Sequence, residues 1–323
     1  MPGGRSTVLI VLAALTVTSC SLSSPGAGAG TKPVTGSATA NLQQLNLPAA
    51  VAVPTMTTEQ PGWVPVTTAY GSTAIDTRTV TGADGHAITV FRFHAGHTRF
   101  ALHAGSSDPP VPAADVGPNA GAAIGPDQLS SVIAAFNGGF KSYAGAGGFE
   151  LDSHVIIPLR TGMASLAIDA DGSAHVGIWG VGLPFPGEQV VSVRQNLAPL
   201  IVNGQPSPQI ADVGAWGATL GGGTVTARSS LGEDGAGNLL FAAGMAAYPS
   251  DLAGALISAG AVSGMQLDIN PEWVQLDAAP TPGGTLAAGV PGQNRPSDQY
   301  LVGWTRDFVT VVASRPMTVR RPG

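Results

Sequence analysis

Charge is scarce in this chain. Only 11% of its 323 residues are Asp, Glu, Lys or Arg, the net charge is -6, and no basic run occurs anywhere. That balance excludes charge-driven binding to nucleic acid or to an anionic membrane surface. Cysteine is scarcer still. Cys20 is the only one, so no intrachain disulfide can form and the fold must hold by packing alone. Aromatic residues make up 6%. The apolar run Val8 to Val17 is about half the ~20 residues a membrane-spanning helix needs. No Gly-x-Ser-x-Gly element, no phosphate-binding Gly-Lys-Thr loop and no internal repeat is present. What the chain has in quantity is Gly and Pro, 45 and 26. With this length and low charge they point to many short strands and turns around one large core. The expected fold class is α+β: a single strand-rich domain with a mixed β-sheet and a few short helices.

The N-terminus reads as an export signal. Arg5 and the α-amino group precede the apolar run, and small residues follow it. Val17-Thr18-Ser19-Cys20 looks like a bacterial lipobox. A plain signal peptide that happens to hold a cysteine is the other reading. A lone thiol at that position has no disulfide partner to explain it, which favours lipidation of Cys20. Residues 1–19 are then the signal, and 20–62, dominated by Ser, Gly, Ala, Thr and Pro, a tether that cannot bury enough surface to order itself. The folded domain is expected over 63–316. The expected location is the outer face of the cell membrane, held by the lipid anchor, with secretion as the alternative.

Within the domain, Asp84-Gly85 punctuates two β-rich runs, the second Ala87 to Phe93. Residues 105–126 form a Pro/Gly/Ala-rich excursion. Pro126-Asp127 predict a short helix over Gln128 to Ala135. Asp171-Gly172 and Asn203-Gly204 predict hairpin turns. Strands are predicted over Thr224 to Leu231, Leu239 to Ala243 and Val262 to Ile269. Between the last two, Pro249-Ser250-Asp251 open a helix whose apolar face carries Leu252, Ala255, Leu256 and Ala259, closed by Gly260.

Three polar groups stand out. Asn137, in Phe136-Asn137-Gly138-Gly139-Phe140, belongs either to an ordinary turn or to a loop that lets a ligand approach the backbone. Alternation puts Thr224, Thr226, Arg228 and Ser230 on one strand face, and Gln266, Asp268 and Asn270 on another. Such faces line a cleft or meet solvent. His94, His97 and His103 lie close in sequence, but on a strand the first two point oppositely and no Cys or spaced carboxylate completes a set. No metal and no cofactor is expected.

Four segments carry a resemblance. They are Phe136-Asn137-Gly138-Gly139-Phe140, Ala198 to Gly204, Ala227-Arg228-Ser229-Ser230-Leu231-Gly232 and Gly264-Met265-Gln266-Leu267-Asp268. In order and spacing, over roughly 80–315, the chain resembles the phosphodiester glycosidase domain family. The lysosomal uncovering enzyme belongs to that family, and many bacterial envelope proteins share the domain. The family's Gly-Gly-Gly-Ser after the aspartate is here Ile269-Asn270-Pro271-Glu272, and Pro271 has no N–H to offer a phosphate.

The resemblance implies an exported hydrolase that cleaves the sugar C1–O bond of a sugar-1-phosphodiester. Asp268 is then the expected carboxylate, Arg228 the phosphate-binding cation and Asn137 a hydrogen-bonding partner. Gly138, Gly139, Lys141, Glu272 and Trp273 are expected to contact substrate, Glu272 as a second carboxylate and Trp273 by stacking on a sugar face. The alternative is a non-catalytic envelope lipoprotein that binds glycan in the same cleft. The expected partners are a sugar-phosphate or glycan and, through Cys20, the membrane.

Overall fold

The computed structural model describes residues 51–58, 62–82, 84–111, 119–219 and 221–315. Cys20, the signal segment and the tether up to residue 50 lie outside the described residues. Packed chain begins inside the stretch expected as tether: Val51, Val53 and Met56 bury apolar surface against a core cluster, and Thr57 pairs with Thr81.

The architecture is α+β and strand-dominated, with three sheets. The largest runs in spatial order Val64–Ala69, Ser72–Thr81, Ala87–Phe93, Leu239–Ala247, Thr226–Asp234, Ala261–Ile269, Ile201–Val202 and Gln205–Pro206. The second is Gly182–Leu183, Ala174–Trp179, Ala164–Asp169, Val190–Gln195, Phe149–Leu151 and His154–Ile157. Its first pair is parallel, which makes the sheet mixed. The third is Ala287–Ala288, Leu276–Ala278, Val132–Asn137, Phe308–Ala313 and Thr98–His103. One core, including Phe93, Phe136, Phe241, Leu267 and Val309, is shared among strands of all three.

Several turns are where the sequence put them. The hairpin at Asp171-Gly172 joins Ala164–Asp169 to Ala174–Trp179, and Asn203-Gly204 joins two short strands. Both Asn203 and Gly204 adopt positive φ, 51° and 71°, the conformation that makes Asn-Gly the favoured pair in tight hairpins. The helix Pro249–Ser258 starts with Pro at its first position, and the Asp251 carboxylate accepts the Tyr248 N–H. Leu252, Ala255 and Leu256 are buried beneath it.

The helix expected over Gln128 to Ala135 does not form. Short turns close over residues 125–132, the last with Ser131 and Val132 N–H both donating to Gln128 O, and Val132–Asn137 is a strand. All six of its residues are buried. It pairs on one side with Leu276–Ala278 and on the other with Phe308–Ala313. A continuous apolar run suits a two-sided central strand as well as a helix, and pairing on both edges decides the matter here. The register sets Phe308 opposite Asn137. Beyond that pair the Gly138-Gly139 backbone therefore runs alongside Arg306-Asp307.

Candidate active site

Where these strands end, a cleft of about 730 Å³ opens, with Asp268, Lys141, Trp273, Glu272 and Arg306 in its lining. A smaller hollow of about 320 Å³ adjoins it, bounded by Asp108 and sharing Lys141, Tyr143, Trp273 and Arg306. Arg306 stands between the two. Its Nη2 meets Asp268 Oδ2 at 2.7 Å and donates to Gly139 O at 2.6 Å. Its Nε lies 3.7 Å from Asp108 Oδ2. Neither that Nε nor that oxygen has a hydrogen-bond partner among the described residues, although both are buried. The guanidinium also sits 4.8 Å above the Trp273 ring.

Asp268 is the next-to-last residue of the strand Ala261–Ile269. Burial pushes its carboxyl up to about 7, against the pull of Arg306 and the Ile269 N–H, and Asp307 pushes the same way as burial. A carboxyl at that value exchanges a proton readily near neutrality, as acid–base catalysis requires. Immediately after the strand, Asn270 takes φ 78° and turns the chain so that Trp273 and Val274 N–H bond back to Asn270 O. That turn carries Trp273 over the cleft. Lys141 Nζ lies 5.2 Å from the Trp273 ring and 5.6 Å from that of Tyr143. Lys141 makes no ion pair among the described residues, so its charge is available to an incoming anion. Tyr143 is 82% exposed at the rim.

Sequence reasoning therefore places Asp268, Lys141, Glu272 and Trp273 in one cleft. The other expected residues stand behind its wall. Asn137 Nδ2 donates to Gly138 O and Ser229 Oγ, and its Oδ1 accepts Gln275 N–H, so the side chain is committed inside the sheet. Gly138 and Gly139 are glycines for a different reason from ligand approach. A Cβ on Gly138 would lie 1.8 Å from Asp307 Oδ2, and one on Gly139 2.9 Å from Arg194 Nη2. The two residues leave room for a buried ion pair, Arg194 Nε to Asp307 Oδ2 at 2.7 Å. Asp307 Oδ2 in turn accepts the Gly139 N–H.

Arg228 does not reach the cleft. It is fully buried, and its N–H groups donate to Ala247, Trp216, Gly217 and Thr224 carbonyls and to Gln266 Oε1. Its five donors thus have five acceptors, and none is left for phosphate. The two polar strand faces divide: Asp268 and Asn270 reach the cleft, whereas Arg228, Ser230 and Gln266 are buried; with Gln266, Arg228 anchors both ends of the 217–224 loop, whose residues Gly217, Ala218, Thr219 and Gly221 line the cleft. Glu272 is at the rim, its carboxylate 52% exposed and paired with Arg295 at 2.8 Å and with Asn294.

Four site residues escaped the sequence reading: Asp108, Arg194, Arg306 and Asp307. A signal for two of them was available. Arg306-Asp307 are adjacent charges directly before the apolar run Phe308 to Val312, in a chain that holds few charges.

The fold and cleft define a strand-rich α+β protein with a buried acid set against an arginine. In comparison with solved structures, the chain is similar to the catalytic domain of zebrafish N-acetylglucosamine-1-phosphodiester alpha-N-acetylglucosaminidase, auto-inhibited by its pro-peptide. The identity is 14%, the TM-score 0.46, and the match covers 82% of this chain and 89% of that one. It is also similar to a Synechocystis protein (11% identity, TM-score 0.44, covering 80% and 64%). A Burkholderia pseudomallei protein follows, with 12% identity, a TM-score of 0.36 and coverage of 71% and 74%. No protein-family profile and no curated protein matches the sequence. Likenesses this distant carry no chemistry across.

Proposed function

We propose that this chain is a hydrolase that cleaves the sugar C1–O bond of a sugar-1-phosphodiester, acting outside the cell from a lipid anchor at Cys20. The observation that carries the activity is Asp268, raised to about 7 and bonded to Arg306 at the floor of a cleft whose edge holds Lys141, in no ion pair among the described residues.

The chemistry follows from the leaving group. As C1–O breaks, its electron pair stays on a phosphate oxygen and the leaving phosphate monoester gains charge. Arg306 and Lys141 offset that charge, the arginine with a planar fork suited to two oxygens. A water oxygen bonds to C1 and its proton passes to Asp268 as general base. Expelling phosphate needs little protonation, so one carboxylate does the work that ordinary glycosidases divide between two. Trp273 offers a flat apolar face for the sugar. Arg228 keeps a positioning role through the cleft wall.

Glycan binding without turnover is the second reading, and one observation favours it: Ile269-Asn270-Pro271 stands where a glycine loop would expose its amides. A panel of sugar-1-phosphodiesters, assayed for free sugar, separates the two. Release is expected to rise with pH through about 7, to vanish in Asp268→Asn, and to fall about 100-fold or more in Arg306→Ala. That loss should be larger for diesters than for neutral glycosides. No release across the panel from folded protein, with glycan still bound, would make this a binding module.

A further inference from the structure

We propose that Asp84, His86 and Asp251 form a binding site for a divalent transition-metal ion, with Zn²⁺ the best match. The site lies at the hairpin between Ser72–Thr81 and Ala87–Phe93, where it meets the start of the helix Pro249–Ser258. One donor atom from each of the three residues lies within 4.8 Å of the others. Two carboxylates converge on a single ring nitrogen: His86 Nδ1 is 3.0 Å from Asp84 Oδ2 and 3.1 Å from Asp251 Oδ2. One N–H cannot be directed at both oxygens, whereas a cation satisfies all three donors together.

A separate observation points to the ligand. Asp251 is fully buried, and its Oδ2 is engaged by the Tyr248 N–H and His86, but its Oδ1 has no hydrogen-bond partner among the described residues. A carboxylate oxygen left bare inside a protein is costly unless something positive meets it. This oxygen faces the cluster. A Cβ built on Gly82 would touch it at 3.3 Å and Asp84 Oδ1 at 2.9 Å, so the two oxygens border the same space and a glycine keeps it open. The helix cap accounts for Oδ2 and leaves Oδ1 unexplained.

One imidazole and two carboxylates suit Zn²⁺, with water completing four ligands on the exposed Asp84 side. Ca²⁺ is a poor fit because it takes six to eight oxygens. The ion would tie the hairpin to the helix start, away from the cleft residues, and so brace the edge of the large sheet.

The untagged full chain, freed of metal with a chelator, is titrated calorimetrically with ZnCl₂, MnCl₂ and CaCl₂, and its thermal unfolding is followed with and without Zn²⁺. One-to-one Zn²⁺ binding and a raised Tm are expected, with weaker Ca²⁺ binding. Asp84→Asn and His86→Gln should each weaken Zn²⁺ at least ~10-fold, the loss that even outer partners of a metal site produce, and abolish the Tm rise. Asp251 is spared because it also caps the helix. Circular dichroism of the metal-free variants should match wild type. No saturable binding, or binding unchanged in both variants, overturns the proposal.

Discussion

The glycine at position 138 is the most exposed point of the design to a single methyl group. In Gly138→Ala the new Cβ would sit 1.8 Å from Asp307 Oδ2 and 2.4 Å from its Cγ. Close-packed interiors do not absorb such an overlap, so the Asp307 carboxylate must retreat by roughly 1 Å or more. It cannot do so and keep its partners, because Oδ2 is held at 2.7 Å by Arg194 Nε and at 3.1 Å by Gly139 N–H. Arg194 and Asp307 are both almost wholly buried, at 5% and 1% side-chain exposure. Parting a buried pair typically costs about 3–5 kcal/mol, since the charge left behind finds no water. Urea unfolding followed by tryptophan fluorescence should therefore show Gly138→Ala destabilised by about 3–5 kcal/mol with an unchanged slope. Gly235→Ala is the control, in open space and without a positive φ; its effect should stay within about 1 kcal/mol. A Gly138→Ala protein within about 1 kcal/mol of wild type would refute the claim that this glycine exists to admit the ion pair.

Three other perturbations test separate parts of the site. Arg228→Lys keeps the charge but offers three donors for five acceptors, and each buried carbonyl left bare costs about 1–3 kcal/mol; a thermal shift near zero would mean the guanidinium is not locked in the wall. Arg306→Gln removes the cation that holds Asp268 down, so ¹³C NMR titration should find that carboxyl higher by about 1–3 pH units, and an unmoved titration would dissolve the pairing. Asp277 is raised by burial from 3.8 to about 7, so its neutral form favours the fold: its contribution is full below about 4 and lost as pH rises through about 7. Asp277→Asn should therefore gain on wild type between pH 5 and pH 8 in urea midpoints, and an equal difference at both values would contradict the sign.

The parts of the fold that were legible in sequence are those with local causes. Asn203-Gly204, Asp171-Gly172 and the Pro249-to-Gly260 helix each announce themselves within a few residues, through positive φ, a cap or a stop. The Val132–Asn137 strand has no such local mark, since its six buried residues owe their conformation to neighbours drawn from residues 276–278 and 308–313. The site divides the same way. Asp268 was found because alternation set it with Gln266 and Asn270 on one polar face and because Gly264 to Asp268 carries the family resemblance, which also brought in Trp273. Arg228 looked free for an equally sound reason, as the sole charge of the expected strand Thr224 to Leu231, yet its acceptors come from Trp216, Gly217 and Ala247, which alternation along its own strand cannot supply. Arg306 was invisible because it matters only through what two other segments bring to it.

That shared guanidinium has a consequence for timing. An anion entering the cleft and Asp268 compete for the same N–H groups of Arg306. Each hydrogen bond the anion takes weakens the grip on the carboxylate, and a carboxylate less well held binds its proton more tightly. Occupancy and proton affinity are therefore written in one ledger: the arrival of a negatively charged guest makes the carboxylate beneath it a stronger base, and its departure resets it. A neutral guest of the same shape leaves that ledger untouched.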